Sequence, residues 1–412
     1  MQLTSEEREM LAGSKGPGCR LAMEVLVEMG ESYQAPCLIP VESAHIVVSN
    51  HKSACDAGLE ILEKFVSLGS KAAIPTTVDP GGIDLEWRGA YKIPGELLEK
   101  QRRIRDAFRA LDFIPCWTCI PYLFGQSPRV GDHLGWTESS AVVYVNSILG
   151  ANTNRETAGV DVAISITGRT PLHGLHLKKK RKGELLIDVR FPYPTREQMV
   201  ILGYFAGLNT AAKIPVLNGI EKIARLEDCI GLGAASAAAG GVALYHIAGI
   251  TPEAGDIKTA FGENPIPPPI VFGPRELKDT KGKMCTAQPG SLGAVMVGCP
   301  HYTIAEIRDL ARLLAGQKID RNVRFWIFTH KANILLAERA GYKSTIEEAG
   351  AEFVADTCMV VTYADLCGFS RIMTDSGKCA YYAPTEIASE TAFGSIEECV
   401  EAAVRGEWAG VS

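Results

Sequence analysis

From residue 291 onward, short apolar runs alternate with amphipathic segments, and two of the runs lead straight to a cysteine. Residues 294–297 precede Cys299, and 353–355 lead to Cys358. Short apolar runs bounded by helical segments fit strands buried on both faces, the signature of a parallel α/β sheet. A strand at 293–298 gives way to Cys299-Pro300-His301, then to a helix that Thr303 and Glu306 cap as Thr-x-x-Glu. A strand at 323–329, a helix at 331–340 ending at Gly341, and a strand at 352–355 follow. The fold class is therefore α/β.

The first half shows the same alternation less cleanly. Residues 1–35 read as helix, with Thr4 and Glu7 as a capping box and Leu21, Ala22, Val25, Leu26 and Met29 at helical spacing. A strand at 44–48, a helix at 54–68 and a strand at 71–78 make a βαβ unit. It opens on the Gly-rich mouth Thr76-Thr77-Val78-Asp79-Pro80-Gly81-Gly82. A charged helix at 94–111 leads to Cys116-Trp117-Thr118-Cys119. The stretch 185–275 alternates strands, a Gly/Ala-rich helix and a loop holding Pro265, Pro267, Pro268 and Pro269. With 412 residues, too many for one small core, three subdomains are expected: 1–184, 185–275 and 276–412.

A net charge of −6 argues against nucleic acid or an anionic membrane as the main partner. The basic run 178–182 reads as a solvated turn, with phosphate contact as the alternative. Residues 1–7 lack the basic and apolar regions of a signal peptide. The most apolar stretch, 234–250, carries Gly, Ala and His246 and suits a packed helix better than a membrane span. Twelve cysteines would be unusual as a disulfide framework, so a cytoplasmic location with mostly buried thiols is expected.

Cys119, Cys299 and Cys358 each follow or close a strand-like run. Ligands in open α/β sheets bind beyond the carboxyl ends of strands, so the three can meet at one site. Three thiolates leave one iron of a four-iron cluster open as a Lewis acid, which points to hydro-lyase chemistry. Taken singly, each cysteine is as readily a buried small hydrophobe. Cys116 with Cys119 also admits a redox dithiol or half a zinc site. Gly231-Leu232-Gly233 superficially resembles a dinucleotide fingerprint, but the charged segment 220–229 before it reads as helix where a strand is required. Residues 152–156 are either a helix cap or a carboxylate clamp built on Asn154 and Arg155. His301 is a positioning partner or faces substrate, Glu138 caps a helix or relays a proton, and Ser376-Gly377-Lys378 is a turn or an anion nest.

Together these motifs resemble the large subunit of the aconitase X family along nearly the whole chain. The residues carrying the resemblance are Ser43-Ala44-His45, Thr76-Thr77-Val78-Asp79-Pro80, Thr118-Cys119-Ile120-Pro121-Tyr122-Leu123 and Glu138-Ser139-Ser140. Further on come Asn146-Ser147-Ile148-Leu149-Gly150-Ala151, Thr153-Asn154-Arg155-Glu156, Thr167-Gly168-Arg169-Thr170-Pro171, Gly298-Cys299-Pro300-His301, Asp356-Thr357-Cys358 and Ser376-Gly377-Lys378. The resemblance implies an aconitase-like fold of several α/β subdomains around a central cluster-binding cleft. It implies an iron–sulfur cluster, 4Fe–4S or 2Fe–2S, on Cys119, Cys299 and Cys358, and dehydration of a small hydroxy acid. His301, Glu138 and Lys378 are the expected catalytic groups. Ser43, His45, Thr76, Thr77, Ser139, Ser140, Asn154, Arg155, Arg169 and Ser376 are the expected substrate contacts.

Ile120, Thr157-Ala158 and Met359 depart from the family pattern, and these departures bear on the substrate. The divergence of Thr157-Ala158 and Met359 from the archaeal pattern places cis-3-hydroxy-L-proline ahead of mevalonate 5-phosphate, which Glu156 keeps as the alternative. A small swivelling-domain subunit, thought to carry the base, is the expected partner. The rivals are a non-catalytic iron–sulfur scaffold and a Rossmann-type oxidoreductase.

Overall fold

A computed structural model describes residues 1–86 and 93–411 and resolves the expected alternation into α/β architecture with several parallel sheets. The chain divides into two units. The first comprises Met1–Leu85, Pro94–Lys182 and Thr251–Glu253; the second consists chiefly of Gly183–Ile250 and the residues from Ala254 onward.

In the first unit, Ala44–Ile46 lies between Thr76–Val78 and Gly135–Trp136 in a parallel three-stranded sheet. Helices His51–Ser67 and Gly95–Ala110 bury Leu59, Leu62, Phe65, Ile104 and Phe108 in one core with Ile46, Val48 and Val78. Two helices, Ser5–Leu11 and Pro17–Ser32, replace the single one expected over 1–35. Gly13 and Gly16 take left-handed φ of 93° and 91°, and Pro17 restarts the helix in its first turn. The Thr4–Glu7 capping box forms as read. The basic run is only partly solvated. Lys178, Lys179 and Lys180 are exposed, but Arg181 is buried and holds Glu253 together with Asn146 Oδ1 and the Asn146 carbonyl.

In the second unit five parallel strands run in the order Ala351–Ala355, Arg324–Thr329, Ala294–Tyr302, Arg371–Thr374, Glu390–Phe393. Side chains alternate between its two faces: Val295, Val297, Phe325 and Ile327 enter one core, Ala294, Met296, Trp326 and Phe328 the other. Both faces are buried, which is why these strands read as unbroken apolar runs. The third strand continues through Cys299, a cis peptide to Pro300, and His301, so Cys299 lies within the strand rather than after it. Its pairing slips between Val297 and Tyr302. At Gly298, φ is 95° and an added Cβ would lie 2.1 Å from the Phe328 carbonyl oxygen.

A second parallel sheet orders His246–Ile247, Pro215–Asn218, Leu185–Val189 and Ile270–Phe272. The segment 220–227 is irregular rather than helical, its backbone drawn to Pro192 by the Glu221 N–H. Gly231 and Gly233 sit inside helix Asp228–Gly240 rather than in a turn between a strand and a helix. That helix packs closely on Arg196–Thr210, as read: a Cβ on Gly203 would meet the Leu232 carbonyl at 2.2 Å. Among the described residues, no helix is long and apolar enough to cross a membrane.

Candidate functional site

The carboxyl edge of the five-stranded sheet gathers Cys299, His301, Cys358, Ser376 and Lys378. Cys358 follows the strand Ala351–Ala355 through Asp356, whose φ of 60° turns the chain and whose carboxylate holds Lys331 at 2.8 Å. His301 Nε2 lies 2.9 Å from the Thr357 carbonyl and ties the two cysteine segments together. The Ser376 hydroxyl donates to the Cys299 carbonyl and accepts the Cys379 N–H at 3.0 Å, capping helix Gly377–Glu386. Ser376 is thus a cap, and Lys378 stands in that helix's first turn.

Both thiols are buried and share a hydrogen bond. Cys358 is pulled down to about 7 by the bond from Cys299, with the Lys378 ammonium and the Val361 and Val360 N–H groups helping against burial. Cys299 rises correspondingly, through that same bond and then burial. One thiol of the pair is poised to ionise beside a cation, which is the donor chemistry that iron and sulfide-bridged clusters take. Among the described residues no disulfide joins any of the cysteines. Among the described residues, no three or more His, Cys, Asp or Glu side chains are grouped to hold a single ion.

The carboxyl edge of the three-stranded sheet in the first unit carries the other expected groups. The Thr118 N–H bonds the Val78 carbonyl, placing Cys119 next to that strand end. Cys116 gives its Sγ–H to the same carbonyl, and burial pushes its thiol up to about 11, a poor thiolate for dithiol exchange. His45 is fully buried, with Nδ1 2.8 Å from Thr77 Oγ1 and Nε2 3.5 Å from Asp79 Oδ1. Burial brings its imidazole down to about 4 against the pull of Glu138, so the ring is neutral near pH 7. Glu138 Oε1 accepts the Ser140 N–H at 3.2 Å and its hydroxyl at 2.9 Å, with Ser139 Oγ at 3.4 Å, capping helix Ser139–Tyr144.

Other expected contacts hold the framework. Ser43 Oγ accepts the Trp136 indole N–H, and Thr76 Oγ1 bonds Ser165 Oγ at 2.8 Å. Asn154 accepts the Leu175 N–H and lies 3.1 Å from His173 Nε2, bracing the 173–175 turn. Arg155 is exposed. The Arg169 guanidinium is engaged by Glu6 and Glu7 at the first helix, which puts it to structural use. Asp79, beside His45, was not singled out in the sequence; an acid directly after a buried strand was the available signal.

The chain matches the aconitase X first domain over residues 1–179, the second over 183–282 and the third over 292–405. It is 38% identical over 409 residues to the phosphomevalonate dehydratase large subunit of Methanocaldococcus jannaschii, covering 97% of this chain and 100% of that one. It is 33% identical over 416 residues to the cis-3-hydroxy-L-proline dehydratase of Pseudomonas aeruginosa, covering 98% of this chain and 70% of the relative. The crystal structure of holo-form aconitase X from Thermococcus kodakaraensis superposes with a TM-score of 0.87 at 33% identity, covering 98% of this chain and all of that one.

Proposed function

This chain belongs to the aconitase X family, and from that premise we propose that it is the large subunit of an iron–sulfur hydro-lyase acting on a small hydroxy carboxylic acid. The observation that carries the reading is the buried Cys299–Cys358 pair, one thiol drawn toward ionisation, beside Lys378 at the carboxyl edge of a parallel sheet. Cys119, Cys299 and Cys358 are assigned as the ligands. When bound, the cluster would offer the substrate hydroxyl a Lewis acid that makes it a better leaving group.

The chain's own groups then have distinct tasks. Lys378 supplies the positive charge that favours thiolates, and Arg155, an exposed guanidinium, is assigned to attract the substrate carboxylate. His301 fixes the Thr357 carbonyl and so the approach of Cys358. His45, neutral and bonded to Thr77, presents Nε2 toward Asp79, while Glu138 lies near enough to act on its charge. That array could hand a proton between imidazole and carboxylate. The base that removes the carbon-bound proton is assigned to a small swivelling-domain subunit; relatives named as large subunits support such a partner.

For the substrate, cis-3-hydroxy-L-proline stands first. Asp79 and Glu138 beside His45 suit a secondary ammonium, and the departures at Thr157-Ala158 and Met359 agree. Mevalonate 5-phosphate is the second reading, favoured by the 38% identity to two archaeal phosphomevalonate dehydratase large subunits. Anaerobic purification of the assembled enzyme, followed by iron and sulfide assay and by turnover of both compounds, is the test. Serine substitution at 119, 299 and 358 is expected to strip the iron and abolish turnover. Unchanged metal content in those variants overturns the assignment, and turnover of the phosphorylated compound alone reverses the substrate order.

A further inference from the structure

Behind the Cys299 segment, in the second unit, lies a polar cluster that the proposed chemistry does not use. The Tyr302 hydroxyl donates to Asp375 Oδ2 at 2.5 Å, and Arg196 reaches the same oxygen at 3.1 Å. The other arm of the Arg196 fork pairs with Glu306, and its guanidinium lies 5.1 Å from the centre of the Tyr302 ring. Glu306 also accepts the Thr303 N–H at 2.8 Å. Tyr302 and Asp375 are buried and Glu306 is half-buried. Asp375 Oδ1 takes no hydrogen bond among the described residues.

The positions of these residues in the chain give the cluster its meaning. Tyr302 stands three residues after Cys299, and Asp375 immediately precedes Ser376. Tyr302 to Asp375 and Ser376 to the Cys299 carbonyl are therefore two rungs between the same two segments. Arg196 begins helix Arg196–Thr210 and bonds Asp375 directly, and through its pairing with Glu306 it extends the linkage to the first turn of Ile304–Leu314. A cavity of about 520 Å3 opens onto Arg196, Tyr302, Glu306 and Asp375. A smaller one of about 20 Å3 shares Arg196, Glu306 and Asp375 and reaches Cys299, His301 and Ser376. Tyr302 packs in the core and its carbonyl accepts from Thr329 and Asn333, while on the cavity side the bond from its hydroxyl to Asp375 ties the segment to the 375–378 turn.

We propose that Asp375, with Tyr302 and Arg196, is a positioning residue: it clamps the Cys299–Tyr302 segment to the Asp375–Lys378 turn and so sets where the Cys299 thiol and the Lys378 ammonium stand. The proposal rests on the ligand role assigned to Cys299, but its test does not need the metal. Metal-free protein, purified with its small subunit, is treated with iodoacetamide, and labelling rates are read by mass spectrometry on the peptides carrying Cys299 and Cys229. Cys229 is fully buried in helix Asp228–Gly240 and serves as the internal reference.

Tyr302→Phe is expected to speed labelling of Cys299 roughly fivefold, the worth of about one net hydrogen bond, while Cys229 keeps its wild-type rate. Asp375→Ala is expected to match it. Asp375→Asn, which still accepts from Tyr302, is expected to recover most of the protection. Arg196→Lys, keeping charge without the fork, is expected to fall between wild type and Arg196→Met. In iron-loaded protein the fast-labelling variants are expected to lose iron to a chelator sooner than wild type. Wild-type labelling of Cys299 in Tyr302→Phe and Asp375→Ala overturns the proposal, and so does a parallel rise at Cys229, which would mean general loosening. A wild-type complex without iron defeats the proposed function and leaves the labelling result to decide this inference separately.

Discussion

His176 shows how burial, backed by neighbouring charges, sets an electrostatic state. Its Nδ1 faces His133 Nδ1 at 3.0 Å, and only 4% of its surface is exposed. Two imidazole nitrogens at that distance share one proton, and adding a second would place like charges in contact. Burial first, then the charges of His133, His173 and Arg181, brings His176 down to about 3 from 6.5. Because the folded value is the lower one, the unfolded chain takes up the proton first. The contribution is intact above pH 6.5 and is lost as pH falls from 6.5 toward 3. Replacing His176 with Asn removes that linkage. Denaturant titrations at stepped pH are expected to show wild type losing about 1.4 kcal/mol per pH unit more than the variant in the middle of that window. Parallel curves would show that His176 titrates normally in the folded protein. The pairing was invisible in the sequence, since positions 133 and 176 carry no shared motif and meet only through the fold.

At the scale of elements, the helices Arg196–Thr210 and Asp228–Gly240 touch through backbone. Gly203→Ala brings a methyl to 2.2 Å from the Leu232 carbonyl and is expected to cost about 1–3 kcal/mol, more than the gain in helix propensity returns. Gly282→Ala, in helix Pro274–Met284 with nothing within 4 Å of the new carbon, is expected to stabilise by about 0.5–1 kcal/mol. Melting temperatures that move in the same direction for both would refute the packing argument. Strand content was legible where both faces are buried, because an apolar run at 294–297 or 353–355 has no other economical use. It was illegible at 371–374 and 390–393, which are short and bracketed by polar residues, and these strands were found only in the structure. The charged stretch 220–227 misled in the opposite sense. Its residues favour helix locally, but its backbone bonds to Pro192 instead. Cys299 and Cys358 were readable through their repeated context, and the fold brings these two together. The polar groups that hold them were not, since Tyr302, Asp375 and Arg196 come from separate segments and only the tertiary fold joins them.

For the molecule as a whole, the decisive question is what must be added to it. Relatives named as large subunits align along essentially their full length, whereas the Pseudomonas aeruginosa relative extends well beyond the aligned region. The proposed base lies on the swivelling subunit, so iron-loaded chain alone is expected to turn over neither candidate substrate at a measurable rate. Adding the small subunit should restore activity in proportion to complex formed on size exclusion. Full dehydratase activity from the 412-residue chain by itself would show that the base is already within it.

Gly298 has an evolutionary corollary. Every single-nucleotide missense change from a glycine codon introduces a side chain with a β-carbon, and here that carbon lands 2.1 Å from a main-chain oxygen that cannot swing aside. The position at the threshold of Cys299 therefore has no tolerated neighbour one mutational step away. A lineage could change the residues around it and still keep this glycine as a fixed hinge-pin of its ancestry.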